Sequence, residues 1–286
     1  MKAVIFKIFK KSRKVFSGYG IGKYTIIQKT SNWLAKKLHP DYIIHNGNKF
    51  FLDKHDSIHY SLAESVQLPK NISKIISKAC AEGNTIVDVG ANLGWHTLEY
   101  AKLVGDSGKV FAFEPVDENF NLLQKNINEN NYKNVTCIQK AVSNEMKQVT
   151  MELSTRIGDH RIIDKKISNR PTVEINTIML DTFLKNEIKI DFLKIDAEGY
   201  DFFVLEGAKK IIQENSKIVI FVEFNPYLLH LNKVEPKKLI ELLINFGFTL
   251  YDVENTNNTE PSTILDILRY DDGDKNNLTN LLCIRD

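Results

Sequence analysis

The chain has 286 residues, 43% of them hydrophobic and 26% charged, with a net charge of +2, as in an ordinary globular protein. That length holds one α/β domain with an N-terminal extension. No apolar run nears the roughly 20 residues of a bilayer-crossing helix, and the opening MKAVIFKIFKK, interrupted by Lys7 and followed by no small-residue cleavage site, does not read as a convincing secretory signal.

The charge is uneven. Residues 1–40 carry ten bases and no acid, leaving 28 bases against 36 acids in the remainder. With Ile5, Ile8, Phe9, Val15 and Phe16 near helical spacing, the first segment reads as a basic amphipathic helix suited to peripheral attachment at an anionic membrane surface. Nucleic acid is not favoured, because aromatic residues for stacking are few there and the rest of the chain is acidic. Cys80, Cys137 and Cys283 are scattered in apolar stretches, which reads as buried reduced thiols in a cytoplasmic protein.

In chain order, YIIHNGNKFFL (42–52) predicts a hairpin about Asn46-Gly47. Pro69 opens a helix with Ile72, Ile75, Ile76 and Ala79 on one face. The extension is therefore placed at 1–68 and the main domain at 69–286. From residue 85, continuous apolar runs alternate with helical periods: TIVDVG (85–90), KVFAFEP (109–115), VTCIQKAV (135–142), DFLKID (191–196) and KIVIFVEF (217–224). Runs without polar alternation are strands buried on both faces of a parallel sheet. Between them, Phe120, Leu123 and Ile127 share a helix face, as do Val204, Ala208 and Ile211, and then Leu239, Leu242, Leu243 and Phe246. Asn126 to Asn131 and Asn255 to Asn258 read as helix ends and loops. QVTMELS and TVEINTIML form an inserted pair of strands about the polar loop TRIGDHRI, where substrate loops of such sheets tend to lie. FTLYDVE (248–254) and NLLCIRD (280–286) predict a terminal antiparallel pair at the sheet edge.

The sharpest segment is the strand end and turn Asp88-Val89-Gly90-Ala91-Asn92-Leu93-Gly94. Gly90 permits a tight turn, and Gly94 removes a side chain that would block a ligand's approach. Asp88 is costly inside a strand end unless a partner such as an ammonium group meets it. The next strand ends in Glu114, 24 residues past the first glycine, the position from which Rossmann-like folds hold ribose hydroxyls. The dehydrogenase spacing GxGxxG and the phosphate-binding GxxxxGK[ST] are both absent.

VDVGANLGWHTL, KVFAFEPVDENFNLLQKNINENN, KAVSN, INTIMLDTFL and IDFLKIDAEGYDFFVLEGA, in that order over about residues 80–225, resemble the FkbM family of methyltransferases. The resemblance implies S-adenosylmethionine as cofactor and a class I, Rossmann-like, doubly wound and mostly parallel seven-stranded sheet. It also implies O-methylation of a hydroxyl on a sugar, glycan or secondary metabolite. By the same resemblance, Asp88, Gly90, Ala91, Asn92 and Gly94 line the methionine end, Glu114 holds the ribose, and the backbone near Ala141 and Val142 flanks the adenine.

Methyl transfer needs acceptor oxygen, methyl carbon and sulfur held in line, and a group to take the acceptor's proton. Lys194-Ile195-Asp196-Ala197-Glu198-Gly199 ends the strand beside the glycine turn, with Lys194 and Asp196 on one face. Asp196 is the first choice for the reacting groups and Glu198 the second; capping of the following helix is their bland alternative. His160, in the inserted loop, is the histidine best placed to take a proton, and His96 sits in the cofactor turn. Glu223 and Asn225 end the adjacent strand; a divalent metal held by oxygens from these strand ends is an option that no spacing demands. Two other readings compete: a binding protein that kept the fold without turnover, and a nicotinamide-dependent oxidoreductase.

Overall fold

The computed structural model describes residues 41–52, 70–154, 160–163, 169–185, 189–254 and 260–285. The predicted basic helix in residues 1–40, the Pro69 helix start and Asn255 to Asn258 lie outside these. Two compact units are divided between Val66 and Gln67.

In the first unit, β1 (Tyr42–His45) and β2 (Asn48–Phe51) pair antiparallel, with Tyr42 opposite Phe51. Asn46 and Gly47 have φ of 48° and 85°, the left-handed pair of a tight two-residue hairpin turn.

The second unit is built on α1 (Lys70–Ala79), β3 (Thr85–Val89), α2 (Trp95–Val104), β4 (Lys109–Phe113), α3 (Asp117–Glu129) and β5 (Val135–Ile138). After an insertion come α4 (Leu180–Phe183), β10 (Phe192–Ile195), α5 (Asp201–Glu206), α6 (Lys209–Glu214), β11 (Val219–Phe224), α7 (Pro226–Leu231), α8 (Pro236–Asn245), β12 (Thr249–Asp252), α9 (Ile264–Leu268) and β13 (Thr279–Ile284). The sheet order is β12-β13-β11-β10-β3-β4-β5, seven strands, with only β13 antiparallel to its neighbours. This is the doubly wound class I methyltransferase architecture, and β13 slots between β11 and β12 as the last antiparallel pair. Both sheet faces are covered. Val87, Val89, Leu193, Ile195, Ile220 and Val222 pack with Val204, Leu205, Ile211 and Leu239 from the helices on one side. Ile86, Val110 and Phe192 meet Ile76, Tyr100, Ala101 and Val104 of α1 and α2 on the other. This explains why β3 and β10 read as unbroken apolar runs.

Four details differ from the sequence reading. VTCIQKAV is two strands: the Lys140 amide bonds back to the Ile138 carbonyl (3.0 Å), and β6 (Ala141–Val142) leaves the main sheet. It joins a second sheet of order β6-β9-β7-β8, with β7 (Gln148–Glu152), β8 (Arg161–Ile163) and β9 (Thr172–Ile178). Part of the expected polar loop TRIGDHRI is thus strand, because Ile162 pairs opposite Met151 and is buried with it. The Val204–Ala208–Ile211 stripe spans two helices; a Cβ on Gly207 would lie 2.0 Å from the Ser143 carbonyl oxygen, and the Asp181 carboxylate caps α6 by accepting from the Lys210 and Ile211 amides (2.9 Å each). Asn126 is inside α3 and fully buried, not at a helix end.

The inserted sheet turns Val149, Met151, Ile162 and Ile175 onto Val116, Ala141, Ala197, Tyr200 and Phe203. Val116 follows β4 and Ala197 follows β10, so the insertion covers the C-terminal strand ends. That positions the site.

Candidate active site

The glycine turn is held from three directions. The Gly90 and Ala91 amides donate to the Phe113 carbonyl (3.1 and 2.9 Å), and the buried Asn126 side chain donates to the Leu93 carbonyl (2.7 Å). Gly90 has φ 74°, and a Cβ there would sit 1.8 Å from the Asp196 carbonyl oxygen. Its glycine is therefore demanded by contact between two strand-end turns. Gly94 lies at φ 93°, and a Cβ there would also meet the end of the Leu123 side chain (Cδ1, 2.7 Å), so the left-handed backbone calls for glycine here. Asn92 also lies at positive φ (53°), and its buried Oδ1 has no hydrogen-bond partner among the described residues.

Glu114 is buried at the end of β4. Its Oε2 accepts from the Asn92 amide (2.9 Å), and Oε1 from the Val116 amide (3.0 Å) and, at 3.5 Å, the Asn119 side chain. A carboxylate has about four lone-pair positions, so with three engaged one remains for a ribose hydroxyl. Burial pushes the Glu114 carboxyl up to about 7, with the Val116 and Asn92 amides opposing it. Ala141 and Val142 are both buried in β6, which runs parallel to β9.

Asp88 is fully buried and, as its chemistry demands, meets an ammonium: Lys194 Nζ lies 3.5 Å from Oδ1, and Thr97 Oγ1 donates to Oδ2 (2.6 Å). Lys194, directly opposite Asp88 in the β3–β10 register, also donates to the Gly90 carbonyl (3.1 Å) and to Asp196 Oδ2 (3.2 Å). Burial would draw this ammonium down, but Asp196 and Asp88 outweigh it and hold it raised. One buried cation thus ties the cofactor turn to Asp196, a junction no motif in the sequence displays.

Asp196 keeps 40% of its side chain exposed. The N-cap of α5, Tyr200, makes no side-chain cap, and the Asp201 carboxylate instead braces the turn before the helix, accepting from the Ala197 and Gly199 amides (2.9 and 3.0 Å). Glu198 sits at φ 50° at the tip of the same turn. Asn225 is spent as the N-cap of α7, accepting from the Leu228 amide (3.2 Å). His96 is half-buried and stacks on Tyr100 at 6.0 Å, and burial followed by Lys194 lowers its pKa, leaving a neutral ring. His160 immediately precedes β8, and its Nδ1 accepts the Ser154 amide (2.9 Å). With Nδ1 so engaged as an acceptor, the ring N–H lies on Nε2. Among the described residues, no three His, Cys, Asp or Glu side chains converge as metal ligands. The three cysteines are free thiols, each pushed up by burial.

A parallel sheet with a glycine turn after its first strand, an acid after the second and a cation-tethered acid after the fourth defines a nucleoside-dependent α/β enzyme site. The methyltransferase FkbM domain model matches residues 88–250, reaching past β11 into β12, and the chain belongs to that family of S-adenosylmethionine-dependent methyltransferases. It is 25% identical over 178 residues to the hexuronic acid methyltransferase AglP of Haloferax volcanii, covering 61% of this chain and 67% of that one. Over 58 residues, 20% of this chain and 24% of the other, it is 36% identical to the protein-L-isoaspartate O-methyltransferase of Methanosarcina mazei. The solved FkbM methyltransferase of Methylobacillus flagellatus superposes with a TM-score of 0.45 at 16% identity, covering 71% of this chain and 44% of that one.

Proposed function

We propose that this protein methylates a hydroxyl oxygen on a sugar, glycan or secondary metabolite, with Asp196 taking the acceptor's proton. The observation that carries this reading is the half-exposed Asp196 carboxylate, tethered by Lys194 against the glycine turn. The hexuronic acid methyltransferase relative supports a sugar acceptor.

S-adenosylmethionine, when bound, supplies a methyl carbon activated by its sulfonium. Its donors suit this turn: Asn92 Oδ1, unpartnered among the described residues, is an acceptor for one, and Glu114 keeps a lone pair for a ribose hydroxyl. Asp88, Gly90, Ala91 and Gly94 shape the methionine end, and Ala141 and Val142 flank the adenine. On the acceptor side, Asp196 orients the hydroxyl and receives its proton as the oxygen–carbon bond forms and the carbon–sulfur bond breaks; the proton then passes to water. Glu198 is the second carboxylate of that turn, and His160, just ahead of β8 in the covering sheet, is the histidine candidate. Calorimetry with S-adenosylhomocysteine and NAD, followed by a methyl-transfer screen over glycosides, tests the reading. Binding of NAD alone would overturn it, and cofactor binding without transfer to any hydroxyl would favour a non-catalytic role.

Ribose recognition by Glu114 has a pH signature. Its raised pKa means the folded protein holds a proton between about 4.5 and 7 that the unfolded chain has lost, so this residue's contribution to stability falls as pH rises through that window. Cofactor binding runs the other way, because the hydroxyl donates to the ionised form. S-adenosylhomocysteine affinity is expected to rise about tenfold per pH unit below 7 and level off above it. Glu114→Gln should flatten that profile and weaken binding tenfold or more at pH 8, about 1.5–3 kcal/mol; a wild-type profile without slope would remove Glu114 from the ribose.

From the charge of residues 1–40 we also infer reversible attachment to anionic membrane, each well-placed base contributing about 1 kcal/mol. A chain lacking residues 1–40 should lose binding to phosphatidylserine vesicles; equal binding by both chains refutes the attachment.

A further inference from the structure

Glu223 has no part in the arrangement so far. In β11, Ile220, Val222 and Phe224 enter the core, and alternation turns Glu223 to the face that carries Asp88 and Lys194. Ile195 pairs with Val222, so Glu223 stands one rung further on, beside Asp196 at the end of the neighbouring strand. Its Oε2 is buried and has no hydrogen-bond partner among the described residues. A buried carboxyl oxygen left unpaired is a standing cost, and such atoms in functional clefts are commonly met by a ligand.

The groups facing Glu223 are the carboxylates of Asp196, Glu198 and Asp201 and one ammonium, Lys194, already shared between Asp88 and Asp196. Its partner across β13 is the uncharged Asn280. Burial first, and then these three carboxylates, push its carboxyl well above the usual range, with Lys194 opposing. A protonated carboxyl has an O–H to donate, whereas the Asp196 carboxylate only accepts. Neighbouring strands are about 4.8 Å apart, so donor and acceptor stand at the spacing from which side chains reach two adjacent ligand oxygens.

We propose that Glu223 is an acceptor-binding residue, its carboxyl hydrogen-bonding the oxygen next to the hydroxyl that Asp196 engages, so that the site selects an uncharged vicinal diol. The proposal rests on the hydroxyl-transfer reading and deepens it. A carboxylate or phosphate at this position would face three carboxylates instead of a donor.

The test uses the full chain saturated with S-adenosylhomocysteine and labelled with carbon-13 at glutamate carboxyls, the Glu223 resonance being assigned by its loss in Glu223→Gln. Methyl glucoside, which carries vicinal diols, should shift that resonance; cyclohexanol, a lone hydroxyl on a six-membered ring, should not. Glu223→Gln should weaken methyl glucoside about tenfold while cofactor affinity changes less than about twofold. Equal effects of the two probes, no shift with either, or unchanged glucoside affinity in Glu223→Gln overturns the proposal. Should Glu223→Gln lose cofactor binding through misfolding, Glu223→Asp assigns the resonance and the wild-type titration decides. Methyl transfer to a hydroxyl with Glu223 unmoved sinks this inference and leaves the proposed function standing. Diol binding at Glu223 without transfer does the reverse.

Discussion

Gly90→Ala is expected to leave little folded protein. The left-handed backbone at φ 74° costs an alanine about 1–2 kcal/mol. The steric clash costs more: the new Cβ would lie 1.8 Å from the Asp196 carbonyl oxygen, a backbone atom anchored by the Asp196 amide's own bond to Val89 (3.1 Å). Neither turn can yield without breaking the β3–β10 junction, so the total should exceed about 4 kcal/mol, a large part of a typical domain's 5–15 kcal/mol. Gly247 supplies the control. It has φ 84°, but nothing lies within 4 Å of its missing Cβ, so Gly247→Ala should cost only the strain of the left-handed backbone. Circular dichroism melts of both variants check this; similar melting temperatures would show that the Asp196 contact does not govern Gly90.

Asp196→Asn should lower turnover about 10²–10⁴-fold, the range of general-base assistance, with S-adenosylhomocysteine affinity changed far less. Asparagine keeps the shape and loses the proton acceptor, and Asp88 remains to pair Lys194, so the fold should hold. Matched losses in turnover and cofactor affinity would make Asp196 a cofactor ligand, and no loss would remove it from the chemistry. Repeating the assay in EDTA tests a metal at these strand ends: activity should persist, and its disappearance would assign the carboxylates to a cation.

The sheet was legible because its strands are buried on both faces. TIVDVG and DFLKID lack polar alternation for that reason, and the glycine turn and Glu114 followed from strand-end chemistry. The hairpin announced itself in Asn46-Gly47. Features set by distant contacts were not legible. The close approach of Gly207 to the carbonyl of Ser143 is one that local pattern cannot foresee. Asn126 looked like a loop residue because asparagine favours helix ends; its partner, the Leu93 carbonyl, lies 33 positions away in sequence. Asp201 braces the turn that carries Asp196 and Glu198, and only the folded turn shows which carboxylate its free amides meet.

The covering sheet is anchored differently from the main one. It joins through the short β6–β9 pairing and an apolar cluster of its own, whereas the cofactor turn, Lys194 and Asp196 are locked by backbone contacts within the central strands. The molecule is thereby partitioned into a part that cannot drift and a part that can be rebuilt. Under the proposed function, remodelling residues 143–178 is expected to change acceptor preference while the strand-end geometry stays fixed. An engineer seeking a new acceptor should graft that segment from another family member and leave Asp88, Gly90, Lys194 and Asp196 as they are.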